Sequence, residues 1–128
     1  MIVLDASVII PYLDADDVHH PRATQLLERE VDEDFALDPL TFAEILVGPM
    51  RADRLDLALA VLRELQIVER PFPPESALRL AQIRTVTGLR MPDCCVLLTA
   101  EDAAARVATF DTALMKAAAG LGLTTATT

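Results

Sequence analysis

Glycine is scarce in this chain of 128 residues, with four in all and no Gly-rich run. Loops that cradle phosphates, of the P-loop or dinucleotide type, need several glycines so that backbone can approach the phosphate, and that chemistry is excluded. Cysteine is limited to the adjacent pair Cys94 and Cys95. Adjacent cysteines rarely bridge each other and match no zinc-ligand spacing, so both are expected as small buried hydrophobes on a helix. Basic residues are few: 11 Lys and Arg stand against 20 Asp and Glu, a formal net charge of −9. That balance disfavours a simple electrostatic grip on nucleic acid and suits a cation-binding pocket or a basic partner. Aromatic residues amount to one Tyr and four Phe. Tyr12 and Phe72 are expected to pack in a core or an interface rather than to stack on nucleobases. No apolar run approaches the roughly 20 residues of a membrane span. The N-terminus lacks a basic segment and Asp5 breaks its apolar stretch, so no signal peptide is expected. A cytoplasmic protein without membrane attachment is the expectation.

Apolar residues are plentiful, at 52%, beside 24% charged, which is the balance of a folded domain. The length suits one domain over residues 1–128, with no internal repeat and no low-complexity segment beyond the tail "TTATT". Short apolar, β-branched runs alternate with helical patterns. Strands are expected near residues 1–5, 34–38, 67–70, 106–110 and 122–125. Between them, "RATQLLEREV" places Ala23, Leu26, Leu27 and Val31 at helical spacing. Thr41 can cap a helix "FAEILVGPMR" that ends or kinks at Gly48-Pro49. "RADRLDLALAVLRELQ" is amphipathic, with Leu55, Leu59, Leu62 and Leu65 on one side. Two more helices end at Gly88 and open at Pro92, and "DTALMKAAAGLG" is the last. Strands alternating with helices imply a parallel sheet of four to five strands covered by helices on both faces, an α/β fold.

In such a sheet, sites form at the carboxyl ends of the strands, where helices begin. Asp5 ends the first strand, inside the apolar stretch "IVLDASVII". Asp111 ends the fourth, in "VATFDTAL"; Asp93 sits in the first turn of the helix after "GLRMP"; Glu44 lies one turn into the helix after the second strand. Four acids far apart in sequence are therefore expected at one edge of the sheet. A gathered set of carboxylates repels itself unless pKa values rise or a cation joins it. Oxygen-only ligands suit Mg²⁺ or Mn²⁺, which polarise a phosphoryl oxygen and activate a bound water. Taken singly, Asp5, Asp93 and Asp111 also fit plain helix caps, and Glu44 a solvated helix face.

Taken together, the four segments resemble the motifs of PIN-domain ribonucleases, in order and spacing, from residue 2 to about 119. "VLDASVII" is similar to the first motif, "PLTFAEILVGPMR" to the second, "LRMPDCCVLLTA" to the third and "RVATFDTALMKAA" to the fourth. The length is most similar to VapC-type toxins of prokaryotic toxin–antitoxin pairs. The resemblance implies a PIN-like three-layer fold and an endoribonuclease dependent on Mg²⁺ or Mn²⁺. It implies Asp5 and Asp93 as chief metal ligands, with Glu44 and Asp111 completing the catalytic pocket directly or through water. Ser7 would hydrogen-bond within the pocket and help to hold Asp5, or serve as a helix cap. The family further implies an RNA substrate, a homodimer, and an antitoxin laid into a groove so as to block the site. Residue 6 is Ala where many relatives carry a hydroxyl, and "DCCVLL" replaces a small-residue run.

Arg51, Arg54, Arg84, Arg90 and Arg106 are candidates for a basic rim that would offset the negative charge. His19 and His20 have no third ligand in view and are expected at a solvated loop or helix start. The alternative function is a catalytically silent PIN-like module that works through protein contacts. A receiver domain is disfavoured because "IVER" holds no Asp, and an aspartate-nucleophile phosphatase because position 7 is Ser.

Overall fold

The computed structural model describes residues 1–126. Five parallel strands form one sheet in the order β3-β2-β1-β4-β5. They are β1 (Ile2–Leu4), β2 (Phe35–Leu37), β3 (Val68–Glu69), β4 (Arg106–Ala108) and β5 (Thr125–Ala126). Seven helices lie among the described residues: α1 (Ala6–Leu13), α2 (His20–Arg29), α3 (Pro39–Arg51), α4 (Leu55–Glu64), α5 (Ser76–Thr87), α6 (Met91–Ala103) and α7 (Thr112–Gly120). The expected α/β class and the expected strand order along the chain are present. The last strand begins three residues later than its sequence pattern suggests, and residues 127–128 of the "TTATT" tail lie outside the described residues.

Strand periodicity sorts the core into two halves. Ile2 and Leu4 of β1, Phe35 and Leu37 of β2, and Ala108 of β4 join side chains of α1, α2, α3 and α4 in one buried cluster. Val3 and Val107 point the opposite way and join α5, α6 and α7 in a second. Alternate residues of a strand face opposite sides, so a continuous apolar run is what a sheet covered on both faces requires. Central β1 is buried throughout, and the two-residue edge strand β3 leaves Val68 largely exposed. Short edges of this kind limit pairing with other chains. Buried Cys94 and Cys95 pack within α6 as small hydrophobes, and burial pushes the Cys95 thiol up to about 12.

Three local expectations are corrected. Helix α3 starts at Pro39, with Asp38 as its cap: the Asp38 carboxylate accepts from the Thr41 backbone N–H at 2.9 Å and from the Thr41 hydroxyl at 2.7 Å. An Asp followed by Pro is a strong start signal, because proline has the fixed φ of a first helical residue and no N–H to satisfy. Thr41 is thus the buried partner of the cap and not the cap. The same helix runs through Gly48-Pro49 to Arg51, since a proline this near the C-terminus removes a single intrahelical bond. Helix α2 ends at Arg29, so Val31 falls beyond it and is exposed.

Candidate active site

Strand order places the site. β2 lies on one side of β1 and β4 on the other, so the chain leaves β1 at the point where the connections change direction. Crevices open at the carboxyl ends of strands at such a point. Asp5 sits there, and its backbone N–H donates to the Ala108 carbonyl at 2.9 Å, which extends the β1–β4 ladder by one bond.

Asp5 occupies the N-cap position of α1, yet its side chain makes no capping bond. Instead its Oδ2 accepts from the Ser7 hydroxyl and from the Thr109 hydroxyl, each at 2.7 Å. Both hydroxyl oxygens already accept a backbone N–H: that of Phe110 on Ser7 at 2.9 Å, and that of Asp111 on Thr109 at 3.0 Å. Each hydroxyl has one proton to give, and both protons go to the same carboxylate oxygen. The 3.2 Å approach of the two hydroxyls follows from this shared acceptor. Charge-assisted bonds of this type offset the burial of a carboxylate that is 7% exposed. Oδ1 of Asp5 accepts no hydrogen bond among the described residues.

The charges of the other three acids act in the same neighbourhood. Asp93, in the first turn of α6, is half-buried and makes no capping bond. Burial, followed by the charges of Asp5 and Asp111, pushes its carboxyl above the usual range, while Arg90 acts in the opposite direction. Glu44, on the exposed side of α3, is raised by burial first and then by Asp38, Asp5 and Asp93, again against Arg90. Asp111 is exposed and caps α7, its Oδ1 accepting from the N–H groups of Ala113 at 2.8 Å and Leu114 at 3.2 Å. Its second oxygen takes no part in the cap. The structure therefore brings Asp93 within electrostatic reach of Asp5, Asp111 and Glu44, and Glu44 within reach of Asp5. No group of three or more His, Cys, Asp or Glu side chains is drawn tightly enough to hold a metal ion unaided among the described residues.

Sequence reasoning missed two members. Asp38 is fully buried at the end of β2 and adds its charge to the pocket behind Glu44. Its signal was its position, an acid at a strand end, as with Asp5. Thr109 is buried at the end of β4, and its signal was its place two residues before Asp111. Of the five arginines considered as a rim, Arg90 acts on the acids. Arg54 lines an apolar groove of about 450 Å³ between α1, α3 and α4, with Ile10, Leu13, Ile45 and Val61, which reaches Glu44. Arg106 lies at the amino end of β4, away from the site, and is tied to Glu30 at 2.9 Å and Glu33 at 3.0 Å. It is no part of a rim. Arg84 instead donates to the Leu89 carbonyl. His20 starts α2 and, with its Nδ1 2.8 Å from the Pro11 carbonyl, closes the end of α1.

The family profile of the PIN domain matches residues 2–120. The chain belongs to the PIN-domain family. This PIN domain superposes on a toxin–antitoxin complex from Klebsiella pneumoniae with a TM-score of 0.78 at 22% identity, over 98% of this chain and 97% of that one. It is similar to FitAcB from Neisseria gonorrhoeae, with a TM-score of 0.73 at 26% identity, over 98% and 96% of the two chains. It also resembles the sarcin–ricin-loop-cleaving toxin VapC20 from Mycobacterium tuberculosis, with a TM-score of 0.70 at 13% identity, over 91% and 95%. At 22% and 13% identity, the first and third are likenesses of fold. Among curated proteins no sequence matches the chain significantly. The expected PIN-like three-layer architecture is thus the observed one. None of the helices among the described residues is long and apolar enough to cross a membrane.

Proposed function

We propose that this PIN domain, acting as one unit over residues 1–128, is a divalent-cation-dependent endoribonuclease and the toxin of a toxin–antitoxin pair. One observation carries the reading: Asp5 is buried at a strand end, tied down through one oxygen and free of hydrogen bonds at the other, amid three further acids. A plain cap would aim its carboxylate at helix N–H groups, as Asp38 and Asp111 do. Asp5 and Asp93 do not, which makes them the ligands of choice for Mg²⁺ or Mn²⁺. Hard cations of this type take a few carboxylates and keep several waters, so a cluster of three protein ligands is not required. The fit is chemical: oxygen donors only, with mutual repulsion that a cation relieves. When bound, the ion supplies charge to a phosphoryl oxygen and lowers the pKa of a water.

The chain's own residues do the rest. Ser7 and Thr109 fix the Asp5 carboxylate, so that its free oxygen keeps one direction. Glu44, whose carboxyl is raised by burial and by the neighbouring acids, stands beside the cluster as a candidate to hold a proton. Asp111 completes the negative rim, and Arg90 provides the local positive charge for a substrate phosphate. The likeness to VapC20 and to a toxin–antitoxin complex supports RNA as substrate and an antitoxin as partner. The apolar groove beside Glu44 is a suitable seat for that antitoxin, and a homodimer is the proposed assembly.

The test is cleavage of RNA by the purified protein with Mn²⁺ or Mg²⁺, beside EDTA and Asp5→Asn controls. Metal-dependent cutting that is lost in Asp5→Asn is expected. Intact RNA, with well-folded and metal-loaded protein across varied substrates, would leave the silent protein-binding module.

A further inference from the structure

Beside the acids lies a second hollow of about 360 Å³, lined by Ser7, Ile10, Pro11, His19, Phe110 and Asp111. We infer that this hollow is a nucleobase subsite, in which His19 and Phe110 form the platform for a base adjacent to the bond being cut. The inference rests on the nuclease reading for its substrate, and on geometry for its place. Phe110 directly precedes Asp111, and its own N–H donates to Ser7, so its backbone is pinned to the acid site. The Arg22 guanidinium lies 4.1 Å from its ring centre. The His19 ring stands 6.3 Å from it, tilted by 46°.

Arginine on one face and an imidazole at an angle hold the Phe110 ring in place beside an open hollow. A volume near the lower end of the ligand-pocket range, about 300 Å³, admits one ring system and no folded peptide element. A flat heterocycle gains stacking against such a surface whatever its identity. Two wall residues, Ser7 and Asp111, belong to the acid site itself, so a nucleotide whose phosphate met the acids would place a neighbouring base here. The sequence singled out Tyr12 and Phe72 as its notable aromatics. Both pack against the core clusters as expected; Phe110 also rests partly on the first cluster, and it differs from them in lining the hollow.

The experiment uses a short RNA carrying the fluorescent base 2-aminopurine, with binding and quenching followed in EDTA and cleavage followed in Mn²⁺. Variants His19→Ala, at an exposed position, and Phe110→Leu, which keeps apolar bulk, are compared with the wild type, and melting curves check their folding. Wild-type quenching with roughly tenfold weaker binding in each variant is expected, the size of one lost base stack. With cleavage, the variants should raise KM far more than they lower kcat. Quenching and affinity equal to wild type in both folded variants would overturn the subsite, as would no quenching by the wild type at any position of the probe. Quenching lost in the variants, without cleavage by any form, would sink the nuclease reading and keep the subsite. A hollow filled by an antitoxin segment and indifferent to RNA would also overturn it.

Discussion

At the residue scale the account turns on how Asp5 is held. Thr109→Val keeps the shape and removes the hydroxyl that donates to Asp5 and accepts from the Asp111 N–H. Loss of that group should lower stability by about 1–3 kcal/mol, because a buried carboxylate oxygen and a partly buried N–H each lose a partner. Cleavage should fall in parallel, as thermal melts and RNA assays on the same sample will show. Asp93 offers a test by pH. Its folded-state pKa is raised, so its ionised form opposes folding. That penalty is absent well below the unfolded carboxylate pKa, grows as pH rises through the raised folded value, and is complete above it. Metal-free Asp93→Asn should therefore melt a few degrees above wild type at pH 7, with the gap closing as pH falls through the carboxylate range. A gap independent of pH would contradict the charge argument. Asp5, Asp93 and Asp111 were legible as candidates because each stands where a strand ends or a helix begins, whereas Glu44, the sixth residue of α3, was legible only through its motif. Thr109 was not, since a threonine at a strand end is ordinary until the fold sets it opposite Asp5, 104 positions away.

At the element scale, the start of α3 is the instructive case. Thr41 and Asp38 are both cap-formers, and "LDPLTF" permits either start. Proline at the first position decides for Asp38, which then buries its carboxylate against Thr41. Asp38→Ala should lower stability by about 1–2 kcal/mol, while Asp38→Asn, itself a good cap, should keep most of it. Because the Asp38 charge raises Glu44, the Asn variant should also shift the Glu44 titration downward, which carboxyl NMR can follow. Equal stability of the Ala and Asn variants would show that the cap contributes little. Helix ends were the least legible part of the fold. Whether α3 stops at Gly48-Pro49 or runs on to Arg51 depends on a single bond, and whether Val31 is helical depends on one turn.

At the scale of the whole molecule, the chain divides its charges between two ends of one sheet. At the amino end of the strands Arg106 bridges Glu30 and Glu33, and the N-terminal ammonium joins Glu33 at 3.0 Å. At the carboxyl end the acids face one another with Arg90 as their nearby cation. A negative excess that argued against nucleic acid is thus partly concentrated where a cation would reverse it. The parallel sheet was legible because β1 and β4 are apolar on both faces, whereas the placement of Arg106 at the far end followed only once β4 had a direction. Titration of the metal-free protein with Mn²⁺, followed by electron paramagnetic resonance and repeated on Asp5→Asn, tests the central claim most directly. The account predicts saturable binding in the wild type that is lost in a folded Asp5→Asn variant. Equal binding in both, or none in the wild type, would contradict it.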